Sequence, residues 1–542
     1  MSPAQISLGA LVLVPLSAAV LTAALPPAVR HWPGLLAALS GAVLTLPVLW
    51  VVQGGQVVEL SLGGHSAPLG IHLRADGFSV LLLLLTAVVG GLVTVFAAAF
   101  PASTGRHMVA GTQPGTLRWQ PAHPAFWPLW LGCWSGLNAV FVAGDLFNTY
   151  VGLEMVGLTA VGLVALGRTR SWEAALRYLF IAVLGSLLFL IAVGLVVSVT
   201  GTLDINQAAL VIAATPDNHA VVVTALILLT VGLSLKVALV PLHGWLIPAH
   251  AGSPTAVSPL LSALVIKASL FVLLRCWLWL VAPGMSTNVG APEAVAAPAI
   301  ATTLAWLSWT LAGLGTLAIV FGAVMALRQS RLKPLVAYST VAQVGYWFLF
   351  FPVLLNPESG RLEELPVTTL GEDVVIAGAF GGTLCLVLGH GVAKATLFLA
   401  AGYLKEIYGT DELDQLRGVG RNHAGLVLAM GMSAIGLAGL PISLSFSGKW
   451  LLSTSAIASG QYWIVGVIVL ATLLSAAYLL RMMAPLLIEA EDDGHLLNPP
   501  ERRQSSLPVV VLLPPLALGL LTLVTGFSGA WVVDLLEVGA PW

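Results

Sequence analysis

The sequence predicts an all-α polytopic membrane protein of about fourteen transmembrane helices, arranged as two inverted five-helix repeats. Three observations carry that reading. First, 58% of the 542 residues are hydrophobic and only 8% are charged, with a mean hydropathy of +0.96. A soluble domain carries about 25% charged residues. Second, apolar windows of about twenty residues, the length that crosses a hydrocarbon core, recur along the whole chain. Third, two of these windows are interrupted at matching places, by Pro241 and by Gly439-Leu-Pro441. Paired broken helices point to a transporter-type internal repeat.

Taken in order, the spans fall near 6–28, 33–52, 75–100, 125–144, 146–167, 176–199, 219–246, 255–281, 298–326, 331–355, 373–403, 423–455, 460–487 and 507–533. The first follows Met1-Ser-Pro without a basic n-region or a clear cleavage site, so it reads as a retained helix rather than a signal peptide. Gly54-Gly55, an alternating Val/Glu/Leu stretch and Gly63-Gly64 predict an extramembrane β-hairpin over 54–74. Asp145, in Gly144-Asp-Leu-Phe-Asn148, is placed to cap the fifth span. The seventh span is the fourth of 4–8 and the twelfth is the fourth of 9–13, which gives two five-helix units. The expected organisation is helices 1–3 with the hairpin in 1–124, a first repeat in 125–281, a second in 298–487, and a linker with the last helix in 488–542.

Positive charge orients the chain. With the N-terminus outside, the inner loops gather Arg30, Arg106, Arg118, Arg168, Arg170, Arg328, Arg331, Lys333, Lys405, Arg417, Arg421, Arg502 and Arg503 among others, and the outer side keeps Arg74 and Arg361. This predicts a multi-pass membrane protein, in contact with lipid and not with nucleic acid. Cys133, Cys276 and Cys385 lie in apolar runs without a CxxC, so neither a disulfide framework nor an iron–sulfur site is expected. No cofactor is predicted and no metal site is assigned.

Lys236, Lys267, Arg275, Lys394 and Lys449 fall within spans. A lysine at membrane depth costs roughly 2.5–3.5 kcal/mol unless a partner or a hydrated cavity receives it. Lys236 lies five residues before Pro241, which removes a backbone donor and is expected to interrupt the helix there. Freed carbonyls at that depth survive only inside protein or beside water. A buried amine beside a broken helix therefore suggests an internal hydrated path for an ion. Glu154 in the fifth span is the expected partner of Lys236, with a pair that only fixes packing as the alternative. Lys267 sits near mid-depth, too far in to snorkel, whereas Arg275 is read as snorkelling to the outer end. His390 and Lys394 are four apart on one helical face; the histidine reads either as a relay or as a hydrogen-bonded core residue. Lys449 follows the second break and three serines, and is the candidate exit residue. His243 and His250 flank Trp245 near the inner mouth of the seventh span, either for proton uptake or as interfacial residues.

These stretches resemble the proton-conducting antiporter-type subunit family shared by respiratory complex I, membrane-bound hydrogenases and the Mrp cation/proton antiporters. The likeness runs from about 125 to 485, through Gly144-Asp-Leu-Phe-Asn148, Glu154, Lys236 with Pro241-Leu-His-Gly-Trp245, Lys267, Leu332-Lys-Pro-Leu-Val-Ala-Tyr-Ser339, His390 to Phe398, and Gly448-Lys-Trp450. The Asp-Leu-Phe-Asn turn and the Gly-Lys-Trp ending are most similar to the D-type subunits of the Mrp antiporters. The chain departs from the family at Leu440 to Phe446 and at Pro259.

The resemblance implies that Glu154 and Lys236 form the charged pair, Lys267 the central relay, His390 and Lys394 the connecting element, and Lys449 the distal relay. It implies a proton-translocating subunit of a multisubunit Na+(K+)/H+ antiporter, with other subunits as partners. The alternatives are a proton-pumping subunit of a complex I-like or hydrogenase assembly, and a scaffold subunit whose charges only fix packing.

Overall fold

The computed structural model describes residues 1–65, 70–105, 123–167, 171–281, 298–354, 372–488 and 508–541. Arg106, Arg118, Arg168, Arg170, Arg361, Arg502 and Arg503, used above to orient the chain, lie outside the described residues. Helices α1 (Pro3–Ala24) and α2 (His31–Gln53) lead into strands β1 (Val58–Leu62) and β2 (Ile71–Ala75), followed by α3 (Gly77–Ala99). The first repeat holds α4 (Phe126–Val142), α5 (Leu146–Ala165), α6 (Ser171–Thr200), a short α7 (Ile205–Ala214), α8 (His219–Val237), α9 (Leu246–Gly252) and α10 (Val257–Val281). The second holds α11 (Pro298–Leu327), α12 (Leu332–Tyr346), α13 (Glu372–Tyr408), α14 (Ala424–Ala438), α15 (Leu444–Ala458) and α16 (Tyr462–Leu487). Helices α17 (Val509–Val524) and α18 (Gly529–Leu536) follow.

Among the described residues, 12 helices are long and apolar enough to cross a membrane. Helix α4, with 17 residues, and the twelfth span, split into two 15-residue halves, complete the predicted fourteen. The hairpin forms as an antiparallel pair, with Val58 opposite Ala75 and Leu62 opposite Ile71. Asp76, Asp145, Asp204 and Ser443 each cap a helix by accepting from the backbone N–H three residues on.

The repeat is written into the backbone. Helix α8 ends on Ala238 in the left-handed region, whose N–H bonds to Leu235 O and Ser234 O. Helix α14 ends on Gly439, also left-handed, bonded to Gly436 O and Ile435 O. The following amides, Leu239 and Leu440, reach back five residues to Ser234 O and Ile435 O. Both breaks thus close with the same Schellman-type hydrogen bonds. A non-glycine residue in that region costs about 1–3 kcal/mol, so the first break is the strained copy.

Two close helix crossings, one in each repeat, depend on glycine. A Cβ on Gly185 of α6 would lie 2.6 Å from Gly232 O of α8, and one on Gly382 of α13 would lie 2.8 Å from Gly448 O of α15. Close backbone approach of this kind is the usual way helices pack where water supplies no driving force. Five spans are an odd number, so the second repeat runs through the bundle in the opposite sense.

Three expectations need correction, and the eighth span holds a feature they did not include. Helix α8 stops at Val237, before Pro241, because the left-handed turn at Ala238 and the Trp245 indole, which donates to Leu235 O at 2.9 Å, already close its end. Arg275 does not snorkel: it is buried in a bidentate pair with Asp76, at 2.5 and 2.9 Å, with its guanidinium 4.2 Å from the Trp279 ring centre. Lys333 is not an aqueous loop residue but lies 2% exposed in the first turn of α12. The eighth span, α10, is not a regular helix: Leu261–Val265 and Cys276–Val281 are π-helical turns within it.

Candidate functional site: a buried line of basic side chains

The first basic group stands at the break of α8. Lys236 occupies the last turn, where the partial negative charge of the helix end favours a cation by about 0.3–1 kcal/mol. Its Nζ is 3.7 Å from Glu154 Oε1, with side-chain exposures of 6% and 26%. The distance makes an ion pair without a direct hydrogen bond, a loose coupling in which each charge senses the other. The tight Gly185–Gly232 crossing sets its position, since Lys236 lies one turn beyond Gly232 and its Cγ would be 3.1 Å from a Cβ on Gly185.

Lys267 follows the first π-helical turn of α10. There the Ile266 N–H reaches back to Leu261 O, one residue further than an α-helix requires. The Lys267 ammonium donates to Ser262 O at 2.6 Å. It also lies 2.7 Å from Nδ1 of His390 and 5.1 Å from the Trp347 ring centre. Both Lys267 and His390 are 0% exposed. Two basic groups at hydrogen-bonding distance can be satisfied only when one carries a proton and the other offers a lone pair. A π turn is a local defect that recurs at functional sites, and here it lies directly ahead of the amine.

On α13, one turn after His390, Lys394 donates to Val336 O at 2.9 Å and to the Ser339 hydroxyl, both on α12. Lys449 lies on α15 but reaches across the break to Ala438 O, the last carbonyl of α14, at 2.9 Å, and to Thr472 Oγ1 at 2.9 Å. Its ammonium is 5.4 Å from the Tyr346 ring centre. Lys236 thus sits in the last turn of the first half-helix of its broken span, and Lys449, from the second half-helix of its own, reaches the last carbonyl of the first. A Cβ on Gly439 would lie 2.9 Å from Lys449 Nζ, so only glycine leaves the amine this seat.

All six residues singled out from the sequence lie along the bundle interior, and two direct contacts join pairs of them: Glu154 with Lys236, and Lys267 with His390. Asp145 is a helix cap, its Oδ1 accepting from the Asn148 N–H at 2.7 Å. His243 is half-buried against Phe321, with ring centres 4.9 Å apart. Sequence reasoning undervalued His250, which is 0% exposed and stacked on Phe398 at 4.4 Å, with neither ring nitrogen bonded to protein. It also missed the hydroxyls that line the axis, among them Ser262 and Thr340, 3.0 Å apart. No group of three or more His, Cys, Asp and Glu side chains able to hold a metal ion occurs among the described residues.

Fold and site together define a polytopic α-helical membrane protein, built on an inverted repeat of broken helices around a buried basic axis. The chain belongs to the family described as NADH:quinone oxidoreductase/Mrp antiporter, transmembrane, which matches residues 143–356 and 373–475. It is 30% identical over 510 residues to the N subunit of the NADH-quinone oxidoreductase of Desulforudis audaxviator, covering 93% of this chain and 91% of that one. It is 28% identical over 433 residues to the D subunit of the Na(+)/H(+) antiporter of Alkalihalophilus pseudofirmus, covering 80% and 76%. Its fold matches a chain of the Mrp complex from a Dietzia species with a TM-score of 0.78 at 22% identity, over 99% and 97% of the two chains.

Proposed function

We propose that this chain is the proton-translocating subunit of a multisubunit Na+(K+)/H+ antiporter in the cell membrane, moving protons along Glu154, Lys236, Lys267, His390, Lys394 and Lys449. The observation that carries the reading is the 2.7 Å approach of Lys267 Nζ to His390 Nδ1. It spans the boundary between the repeats, with the lysine on α10 and the histidine on α13. That distance lies within the range over which a proton transfers between heavy atoms. An amine or imidazole releases and regains a proton, which a guanidinium does not.

In this reading a proton that reaches Lys236 is held while Glu154 is close and released as the pair separates. Lys267 receives it and passes it to His390 across the repeat boundary, from where Lys394 and Lys449 carry it to the outer side. Direction follows the gradients, so the same line serves either way. The cation crosses with the help of other subunits, and no cation site is assigned here.

The test is exchange in everted membrane vesicles carrying the whole complex. Lys236→Ala should abolish Na+- or K+-driven proton movement while the complex still assembles; unimpaired exchange refutes the relay. The 30% identity to an oxidoreductase N subunit favours one second reading, a proton pump driven by electron transfer. Exchange that requires a quinone reductant rather than a cation gradient would support it.

A further inference from the structure

Beside the axis lies a second assembly. A cavity of about 230 Å³ is lined from the first repeat by Ala251, Ser253 and Pro254, and from the second by Lys333, Lys405 and Glu406. Arg331 also lines it, and its rim charges are already matched. Asp411 accepts from Arg331 at 2.7 Å and from Lys405 at 3.3 Å. Lys333 lines the same cavity but is only 2% exposed, so it joins the cavity wall to the protein interior.

The contacts of Lys333 lead inward. Its Nζ donates to Ser253 O at 3.2 Å and lies 3.5 Å from Ser258 Oγ. The two serine hydroxyls are 2.9 Å apart, close enough for one to donate to the other, and each also lies within hydrogen-bonding reach of His250 O, at 3.3 and 3.2 Å. Beyond them, the ring of His250 is buried with both nitrogens unbonded to protein. A buried polar atom without a protein partner costs about 1–3 kcal/mol unless water satisfies it. One turn along α12 from Lys333, Val336 O accepts from Lys394. Hydroxyls and ring nitrogens in series are groups that both accept and donate, as a proton path requires.

We propose that Lys333 is a loading residue of the second repeat: it takes protons from this cavity and hands them over the Ser258–Ser253 pair toward Lys394, an input that works only together with the one through Lys267 and His390, so that loss of either stops exchange. The inference rests on the proton-translocating reading above. In the step, Lys333 gives a proton to Ser258 Oγ as the Ser258 hydroxyl proton passes to Ser253 Oγ and the Ser253 hydroxyl proton passes to water beside the His250 ring; the neutral amine then takes a proton from cavity water, whose hydroxide leaves to the aqueous phase. The charged and titratable groups that face it are Arg331 on its own helix, His250 on α9, and Lys394, Lys405 and Glu406 on α13, with Asp411 and Glu412 beyond. An arginine would keep the charge and the contacts but cannot release a proton. That difference separates loading from a purely structural role.

The experiment uses the intact complex in vesicles, with proton movement followed against the pH on the cavity side. Lys333→Arg should assemble and lose at least tenfold in exchange. Lys333→His should work at acidic pH and fail above about pH 8, where an imidazole is unprotonated. Full exchange by Lys333→Arg, or an unchanged pH profile for Lys333→His, overturns the assignment. Lys236→Ala serves as the control. If it too transports normally, the translocation reading itself has failed; if it is inactive while Lys333→Arg is normal, only the loading role has.

Discussion

Glu154 and Lys236 face each other across 3.7 Å, the lysine nearly sealed from solvent and the carboxylate partly open. The pair is close enough to couple and too far to lock. If Glu154 sets the hold of Lys236 on its proton, Glu154→Gln should slow cation/proton exchange at least tenfold, equivalent to about 1.4 kcal/mol. Glu154→Asp, which keeps the charge at a longer reach, should retain more. Initial rates in vesicles decide this, and equal rates for all three proteins would remove the carboxylate from the mechanism.

The Gly185–Gly232 and Gly382–Gly448 crossings should tolerate nothing larger. Gly185→Ala places a methyl 2.6 Å from a backbone carbonyl, whereas Gly194→Ala meets nothing within 4 Å. Overpacking of this kind costs about 1–3 kcal/mol. Thermal unfolding in mild detergent should show a lowered midpoint for Gly185→Ala and little change for Gly194→Ala.

The Arg275–Asp76 pair is sealed among aromatic rings and joins α3 to α10. Removing one partner strands the other, at about 3–5 kcal/mol. Arg275→Leu alone should therefore lower the melting temperature more than Arg275→Leu combined with Asp76→Asn, which removes the stranded charge and keeps the α3 cap. A double variant no better than the single would show that the pair is not coupled in this way.

Outside the membrane, His72 of the hairpin lies 2.8 Å from Asp204 ahead of α7. The hydrogen bond to Asp204 raises the His72 pKa above its ordinary value, against the opposing effect of burial. Burial pushes Asp204 up, but the bonds from His72 and the Gln207 N–H outweigh it and hold the carboxyl low. The histidine's share of stability is complete below its unfolded pKa, near 6.5, and is lost as pH rises through the higher folded value. The aspartate's share is present above about pH 4 and is lost on acidification below that. Hydrogen exchange of the paired strands, 58–62 and 71–75, should accordingly quicken as pH climbs past neutrality, after correction for intrinsic rates. Asp204→Asn should flatten that dependence.

Much of the architecture was legible because bilayer thickness leaves few choices: apolar windows located the spans, and paired interruptions exposed the repeat. The hairpin followed from its glycines and alternation. Tertiary partners were harder to read. Nothing local distinguishes an arginine near a span end that reaches water, as expected for Arg275, from one that finds Asp76 nearly two hundred residues away. Lys333 was assigned to a loop because it adjoins Arg331 at a span boundary, and only packing reveals that it is buried. The π turn before Lys267 has no sequence mark comparable to a proline, so the seat of that amine was invisible even though the amine itself was conspicuous.

The most direct test of the central claim replaces Lys267 with alanine in the assembled complex and measures cation-driven proton movement in vesicles. If protons cross between the repeats through the Lys267–His390 contact, exchange should fall to background while the complex purifies intact. Exchange at the native rate in that variant would contradict the account.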